Sequence, residues 1–215
     1  MDMGGSTDGG DDGPAPADLL TDTGALLVRG PAMSGKYDLL LRLLAASPGR
    51  ALLISTNRQA ATAREEFATH ADSAPLAVVD SVTHARGASG DPDPLLRYAS
   101  SPENLTDIGV KFTDLTDELR GEDQPVAVGV HSLSELAMYC DTEAVFQFVR
   151  ILLGECRDLD WPAVAAIDDT AVDDRAVSTL AQPFDAVVRT RSTAEQGWEF
   201  AVEPEGNGET VWTPF

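Results

Sequence analysis

Apolar residues are distributed along this chain in short blocks, separated by longer stretches in which apolar and polar positions alternate at helical spacing. The blocks are Ala25–Val28, Ala51–Ser55, Pro75–Val79, Pro125–Val130 and Trp161–Ile167, each bounded by Gly, Pro, Ser or Asp. Short continuous apolar runs of this kind predict strands buried on both faces. Between them, Asp38–Leu44, Gln59–His70, a segment running from Ser101 to about Arg120, Thr142–Arg157 and Asp174–Ala181 predict helices. Pro48-Gly49 marks a turn, and Ser81–Ser101 reads as a Gly/Pro/Ser/Asp-rich loop. Phe184–Arg189 and Trp198–Glu203 predict an antiparallel pair around Ala194–Gly197. Within the last but one of these helices, Ala144–Leu153 is apolar on nearly all sides, which predicts a core helix and, secondarily, a surface for side-by-side assembly.

Strands alternating with helices define an α/β class: a mostly parallel central sheet with helices on both faces and an antiparallel C-terminal strand pair. In such sheets the loops at the carboxyl ends of the strands form the ligand crevice. That rule places the loop after Val28, Ser55–Asn57, Asp80, His131-Ser132 and Asp168 along one edge.

The first of these loops carries the strongest chemical signal. Gly30-Pro31-Ala32-Met33-Ser34-Gly35-Lys36 fits G-x-x-x-x-G-K, the phosphate-binding loop (P-loop), and stands between a predicted strand and a predicted helix. The chemistry needs that order. Main-chain N–H groups of the loop and helix start point at phosphate oxygens, glycines permit close approach, and a lysine meets the outer phosphates. ATP or ADP is the expected ligand, held by residues 30–36 with Tyr37 alongside. Tyr37 stands where the motif normally has a Ser or Thr hydroxyl for Mg²⁺. A phenol at the end of a ring cannot occupy that place, so a Mg²⁺ site is in question and no metal ligands are assigned. Tyr37 is expected either to fill the space of the metal or to cover the site.

Composition narrows the picture. The 215-residue chain has a formal net charge of -21, an apolar fraction of 43 % and only two lysines, Lys36 and Lys111. That apolar fraction is ample for a core and excludes a wholly disordered acidic protein. A lysine-poor, Asp-rich surface is the pattern of proteins in salt-saturated cytoplasm, where screening removes most carboxylate repulsion. No basic face is evident, which argues against nucleic acid and anionic membranes as partners. No signal peptide or membrane span is visible, and the expected location is cytoplasmic. Residues 1–18 read as a disordered acidic arm, and 19–215 as one domain. Cys140 and Cys156 have no metal-type spacing and are expected to be buried thiols. His70 and His84 lack partner spacing. Ser132 and Ser134 lack the Gly-x-Ser-x-Gly context of a hydrolase nucleophile.

Three further segments carry a resemblance: Ser100–Gly109 (SSPENLTDIG), His131–Leu136 (HSLSEL) and Thr179–Val188 (TLAQPFDAVV). With the phosphate loop they make residues from about Leu20 to Val202 resemble RecA-type ATPase cores of the KaiC/GvpD kind, in particular a haloarchaeal, HTR-like group. The resemblance implies a RecA-like P-loop domain. Active relatives carry an Asp before Ser-Leu-Ser that organises Mg²⁺, and paired glutamates after the second strand that activate water. Here those positions read His131 and Thr56-Asn57. With metal hydroxyl, metal carboxylate and general base all replaced, phosphoryl transfer loses its positioned charge.

The sequence therefore predicts a degenerate member: a nucleotide-binding regulatory or scaffold protein with little or no ATP hydrolysis, acting through a protein partner and open to homo-oligomer formation. Two alternatives stand beside it. One is a slow Mg²⁺-dependent ATPase using Asp80 or Asp168, with His131 as a further weak catalytic candidate and Arg189 or Arg191 reaching across an interface. The other is a protein-interaction module with a vestigial loop.

Overall fold

A computed structural model describes residues 16–71, 75–87, 93–121, 124–194, 197–204 and 210–215. In chain order the elements are α1 (Pro16–Thr23), β1 (Ala25–Gly30), α2 (Lys36–Ala46), β2 (Arg50–Ser55), α3 (Ala60–Phe67), β3 (Leu76–Asp80), β4 (Leu96–Tyr98) and α4 (Leu105–Arg120). Then follow β5 (Val126–His131), α5 (Leu133–Tyr139), α6 (Thr142–Asp158), β6 (Ala163–Asp168), α7 (Asp174–Ala181), β7 (Ala186–Thr193), β8 (Gly197–Val202) and β9 (Thr213–Pro214).

The strands form one sheet in the order β4-β3-β2-β5-β6-β1-β7-β8-β9. From β4 through β7 every pairing is parallel; β7–β8 and β8–β9 are antiparallel. Alternation of side chains splits the core into two layers. Along β1, Ala25 and Leu27 join α4, α5, α6 and α7 on one face, while Leu26 and Val28 join α1, α2 and α3 on the other. Both faces are dry, which is why these strands read as unbroken aliphatic runs rather than alternating ones.

Three elements were not legible as such. Helix α1 begins at Pro16, inside the span assigned to the acidic arm; residues 1–15 of that arm lie outside the described residues. Proline suits a first helical turn, and Leu19 and Leu20 bury themselves against the α2 layer. Strand β4 lies in the expected loop 81–101. It is held from outside: Val78 N–H donates to Leu95 O and Ala99 N–H to Asp80 O, while the Arg64 guanidinium clamps Leu76 O, Leu95 O and the Asp93 carboxylate. The two-residue β9 pairs with β8 through Phe200 and Glu199. Among the described residues no helix is long and apolar enough to cross a membrane.

Candidate functional site

The carboxyl ends of β1, β6 and β5 bring residues from three distant stretches together. Register aligns Gly30 with Asp168 and Ala166 with His131, so the three strand ends lie side by side. Between β1 and α2 the chain turns through Met33 (φ 61°) and Gly35 (φ 79°), both in the left-handed region. Gly30 is needed for closeness. A Cβ there would lie 2.6 Å from Ser34 Oγ and 2.7 Å from Thr190 O. Its absence lets the Ser34 and Thr190 hydroxyls meet at 2.6 Å, tying the loop to β7. On the outer side Trp198 Nε1–H donates to Met33 O at 3.1 Å, and the Trp198 and Phe215 rings pack against Gly35. No side chain caps the start of α2. Its first N–H groups, which have no intrahelical partner, are thus left to an external acceptor.

Lys36 opens α2 and is 9 % exposed. Its ammonium donates to Pro31 O at 2.7 Å and to Asp168 Oδ2 at 3.1 Å. The other Asp168 oxygen accepts from the Thr170 N–H and hydroxyl. Partial burial pushes the Asp168 carboxyl up, but the Thr170 and Lys36 hydrogen bonds outweigh it and hold the group below its usual value. The Asp168 N–H donates to Ser134 Oγ, which meets Ser132 Oγ, and Ser132 caps α5 by accepting from Glu135 N–H. Both hydroxyls are therefore bound into the scaffold.

Beside Lys36 opens a cleft of about 460 Å³ whose lining includes Lys36, Tyr37, Arg58, Glu66, His70 and His131. The Tyr37 and His131 rings stand 4.2 Å apart, and the Arg58 guanidinium lies over the Tyr37 ring at 4.4 Å. Arg58 Nη1 pairs with Glu66 Oε1 at 3.0 Å. His131 is 6 % exposed, and its Nδ1 is buried without a hydrogen-bond partner among the described residues. Burial, reinforced by Arg58 and Lys36, pushes its pKa down to about 3, so the ring is neutral at any ordinary pH. Burial and the Glu66 carboxylate push the Tyr37 hydroxyl up, against the pull of Arg58.

The residues suit phosphate better than they suit a protein-held Mg²⁺. An uncapped helix start and a buried ammonium can receive anionic oxygens. Where the motif and the resemblance would place metal-holding groups stand a phenol ring and a neutral imidazole, packed at 4.2 Å with their planes tilted by 45°.

Of the sequence candidates, residues 30–37, His131 and Asp168 come together, and Asp80 does not. Four strand spacings separate β3 from β1, about 19 Å. Asp80 is fully buried and saturated. One oxygen accepts from Val82 N–H and Thr83 N–H, the other from Ala60 N–H and the Thr83 hydroxyl. It ties the turn after β3 to the start of α3. Asp80→Asn would set an NH₂ group against two of those donors and is expected to cost about 2–3 kcal/mol in denaturant unfolding. Nucleotide binding should be unchanged; lost binding with stability intact would restore Asp80 as a ligand. Arg189 and Arg191 on β7 are engaged locally, with Arg191 on Glu199 at 2.6 Å and over Trp212 at 4.0 Å, and Arg189 3.8 Å from Glu203. Arg58, Glu66, Thr190 and Trp198 were not foreseen. Nothing local in the sequence marks them, because each reaches the site through strand order.

Strand order and the helices on both faces define an α/β domain with a RecA-like fold. The chain belongs to a family of unknown function, DUF7504, whose model matches residues 23–190. A KaiC-like protein, PH0186, from the hyperthermophilic archaeon Pyrococcus horikoshii OT3 superposes with a TM-score of 0.59 at 11 % identity, covering 90 % of this chain and 86 % of its own. The uncharacterized protein PH0321 from Pyrococcus horikoshii, crystallised with an unknown peptide, superposes with a TM-score of 0.56 at 16 % identity, covering 84 % and 83 %. No curated protein matches the sequence.

Proposed function

We propose that this protein binds ATP or ADP through residues 30–37 and acts as a regulatory or scaffold protein with little or no hydrolysis. One observation supports the reading. The start of α2 is uncapped with the Lys36 ammonium beside the loop, and at the position where the motif has its metal hydroxyl Tyr37 packs on a neutral His131. Phosphoryl transfer depends on positioned metal and charge, and neither ring supplies them. The nucleotide would supply the anion that orders the loop. Lys36 and the N–H groups of Ala32 to Lys36 would hold its phosphates. The regulatory output would pass to a protein partner; the peptide crystallised with PH0321 supports that part. The acidic, lysine-poor composition supports a halophilic, archaeal and cytoplasmic setting.

Calorimetric titration of ADP and of ATP into the protein in multimolar KCl, with and without Mg²⁺, tests the proposal. Micromolar binding independent of Mg²⁺ is expected, with at least about ten-fold loss in Lys36→Ala, since hydrogen bonds to a charged group are worth about 1.5–3 kcal/mol. Binding that requires Mg²⁺, accompanied by phosphate release lost in Asp168→Asn, would replace this reading with the slow ATPase. That alternative draws on the position of Asp168, 3.1 Å from Lys36. No binding would leave the loop vestigial and the protein an interaction module.

A further inference from the structure

The basic side chains around the cleft lie against carboxylates. Lys36 Nζ lies 3.1 Å from Asp168 Oδ2, Arg58 Nη1 3.0 Å from Glu66 Oε1, and His70 Nε2 3.1 Å from Asp38 Oδ1. Asp38 also accepts from Arg42 Nε at 2.6 Å. The fourth basic side chain in the lining, His131, carries no charge. Its Nδ1 is buried with no hydrogen-bond partner among the described residues, which leaves an unmet polar group at the wall of the cleft. A nucleotide entering the cleft meets a surface in which the Lys36 ammonium and the Arg58 guanidinium are each paired with a carboxylate.

We infer that the cleft selects a metal-free nucleoside diphosphate over the corresponding triphosphate, because the cations that would meet a third phosphate are already held by carboxylates. The inference rests on the nucleotide-binding reading above and adds to it the ligand's phosphate number. Two phosphates can be served by the uncapped start of α2 and by Lys36. A third phosphate drawn to Lys36 would come close to Asp168, 3.1 Å from that ammonium, and one extended into the cleft would meet Glu66 in its lining; in ordinary nucleotide sites a divalent cation offsets such charge. Here Tyr37 and His131 replace the groups that would help hold such a cation. Asp168 stays ionised because Thr170 and Lys36 hold it so. Arg58 could reach a third phosphate only by leaving Glu66 and the Tyr37 ring. At the effective dielectric of about 20 near a protein surface and at low salt, one like-charge pair about 6–12 Å apart is worth roughly ten- to a hundred-fold in affinity.

The test is titration of ADP and ATP, each with EDTA, into the full chain and into Asp168→Asn and Glu66→Gln, with circular dichroism to confirm folding. Wild type is expected to bind ADP at least about ten-fold more tightly than ATP. Asp168→Asn should bring the ratio to about three-fold or less by tightening ATP. Glu66→Gln, which frees Arg58, should shift it the same way and carries the test if Asp168→Asn is unfolded. ATP binding as tightly as ADP in wild type overturns the inference, and so does a ratio that no folded variant moves. Failure of both nucleotides to bind wild type removes the nucleotide-binding reading itself, a different result from equal binding.

Discussion

Lowering the pH from 7.5 to 5 should destabilise the wild-type protein by about 2 kcal/mol more than it destabilises His131→Phe. His131 is almost completely buried at the end of β5, against the Tyr37 ring and near Arg58 and Lys36, and its pKa lies near 3 instead of the usual 6.5. Between those two values the unfolded chain binds a proton on this imidazole that the folded chain refuses. Stability therefore rises with pH across the window from about 3 to 6.5, and above it this group contributes no slope. The slope within the window approaches about 1.4 kcal/mol per pH unit. Phenylalanine keeps a ring against Tyr37 and cannot titrate, so the pH dependence isolates the imidazole from any constant packing change. Denaturant unfolding at the two pH values in one salt concentration measures it. Parallel losses in both proteins would mean that His131 is hydrated or charged in the native state, and the neutral floor assigned to the cleft would be wrong. His131 thus offers no charge of either sign to a phosphate.

Gly30→Ala should cost about 3 kcal/mol or more, whereas Gly154→Ala should stabilise by about 0.5–1 kcal/mol. At Gly30 one added carbon meets Ser34 Oγ and the Thr190 main-chain oxygen, at 2.6 and 2.7 Å. The Thr190 carbonyl belongs to a β7 backbone paired on one side with β1 and on the other with β8, so it cannot step aside without opening the sheet. At Gly154, within α6, a Cβ meets nothing within 4 Å, and alanine gains helix propensity without a clash. Denaturation midpoints with unchanged m-values make the comparison. A loss below about 1 kcal/mol at Gly30 would show that the Ser34–Thr190 contact is loose. The loop would then not be held in place by β7. Nucleotide affinity in the folded fraction of Gly30→Ala should also fall, because the same carbon displaces the loop.

Much of this could be read along the chain. Each buried parallel strand announced itself as an aliphatic run. The motif at 30–36 located the loop, and the Tyr37 and His131 departures pointed to the altered half of the site. β4 and α1 were missed for opposite reasons. Leu96–Tyr98 becomes a strand only because β3 offers an edge and Arg64 clamps it, a contact across some thirty residues of sequence. α1 lies in an Asp/Gly/Pro-rich stretch whose composition outweighed two leucines, yet those leucines find the α2 layer and are buried. Asp80 looked like Asp168, a carboxylate ending an aliphatic run. Strand order separated them: β6 is hydrogen-bonded to β1, whereas β3 lies beyond β6, β5 and β2.

The sequence by itself determined the class of fold, the position of the loop and the two substitutions beside it, because strand burial, glycine spacing and the identity of a residue next to a motif are local properties. Tertiary structure alone decided which carboxylate faces Lys36, that Arg58 and Glu66 enter the cleft, that Thr190 and Trp198 brace the loop, and that His131 is neutral. Those facts depend on strand order and burial, which join residues up to 165 positions apart, as in the Trp198–Met33 hydrogen bond, and no local pattern encodes them.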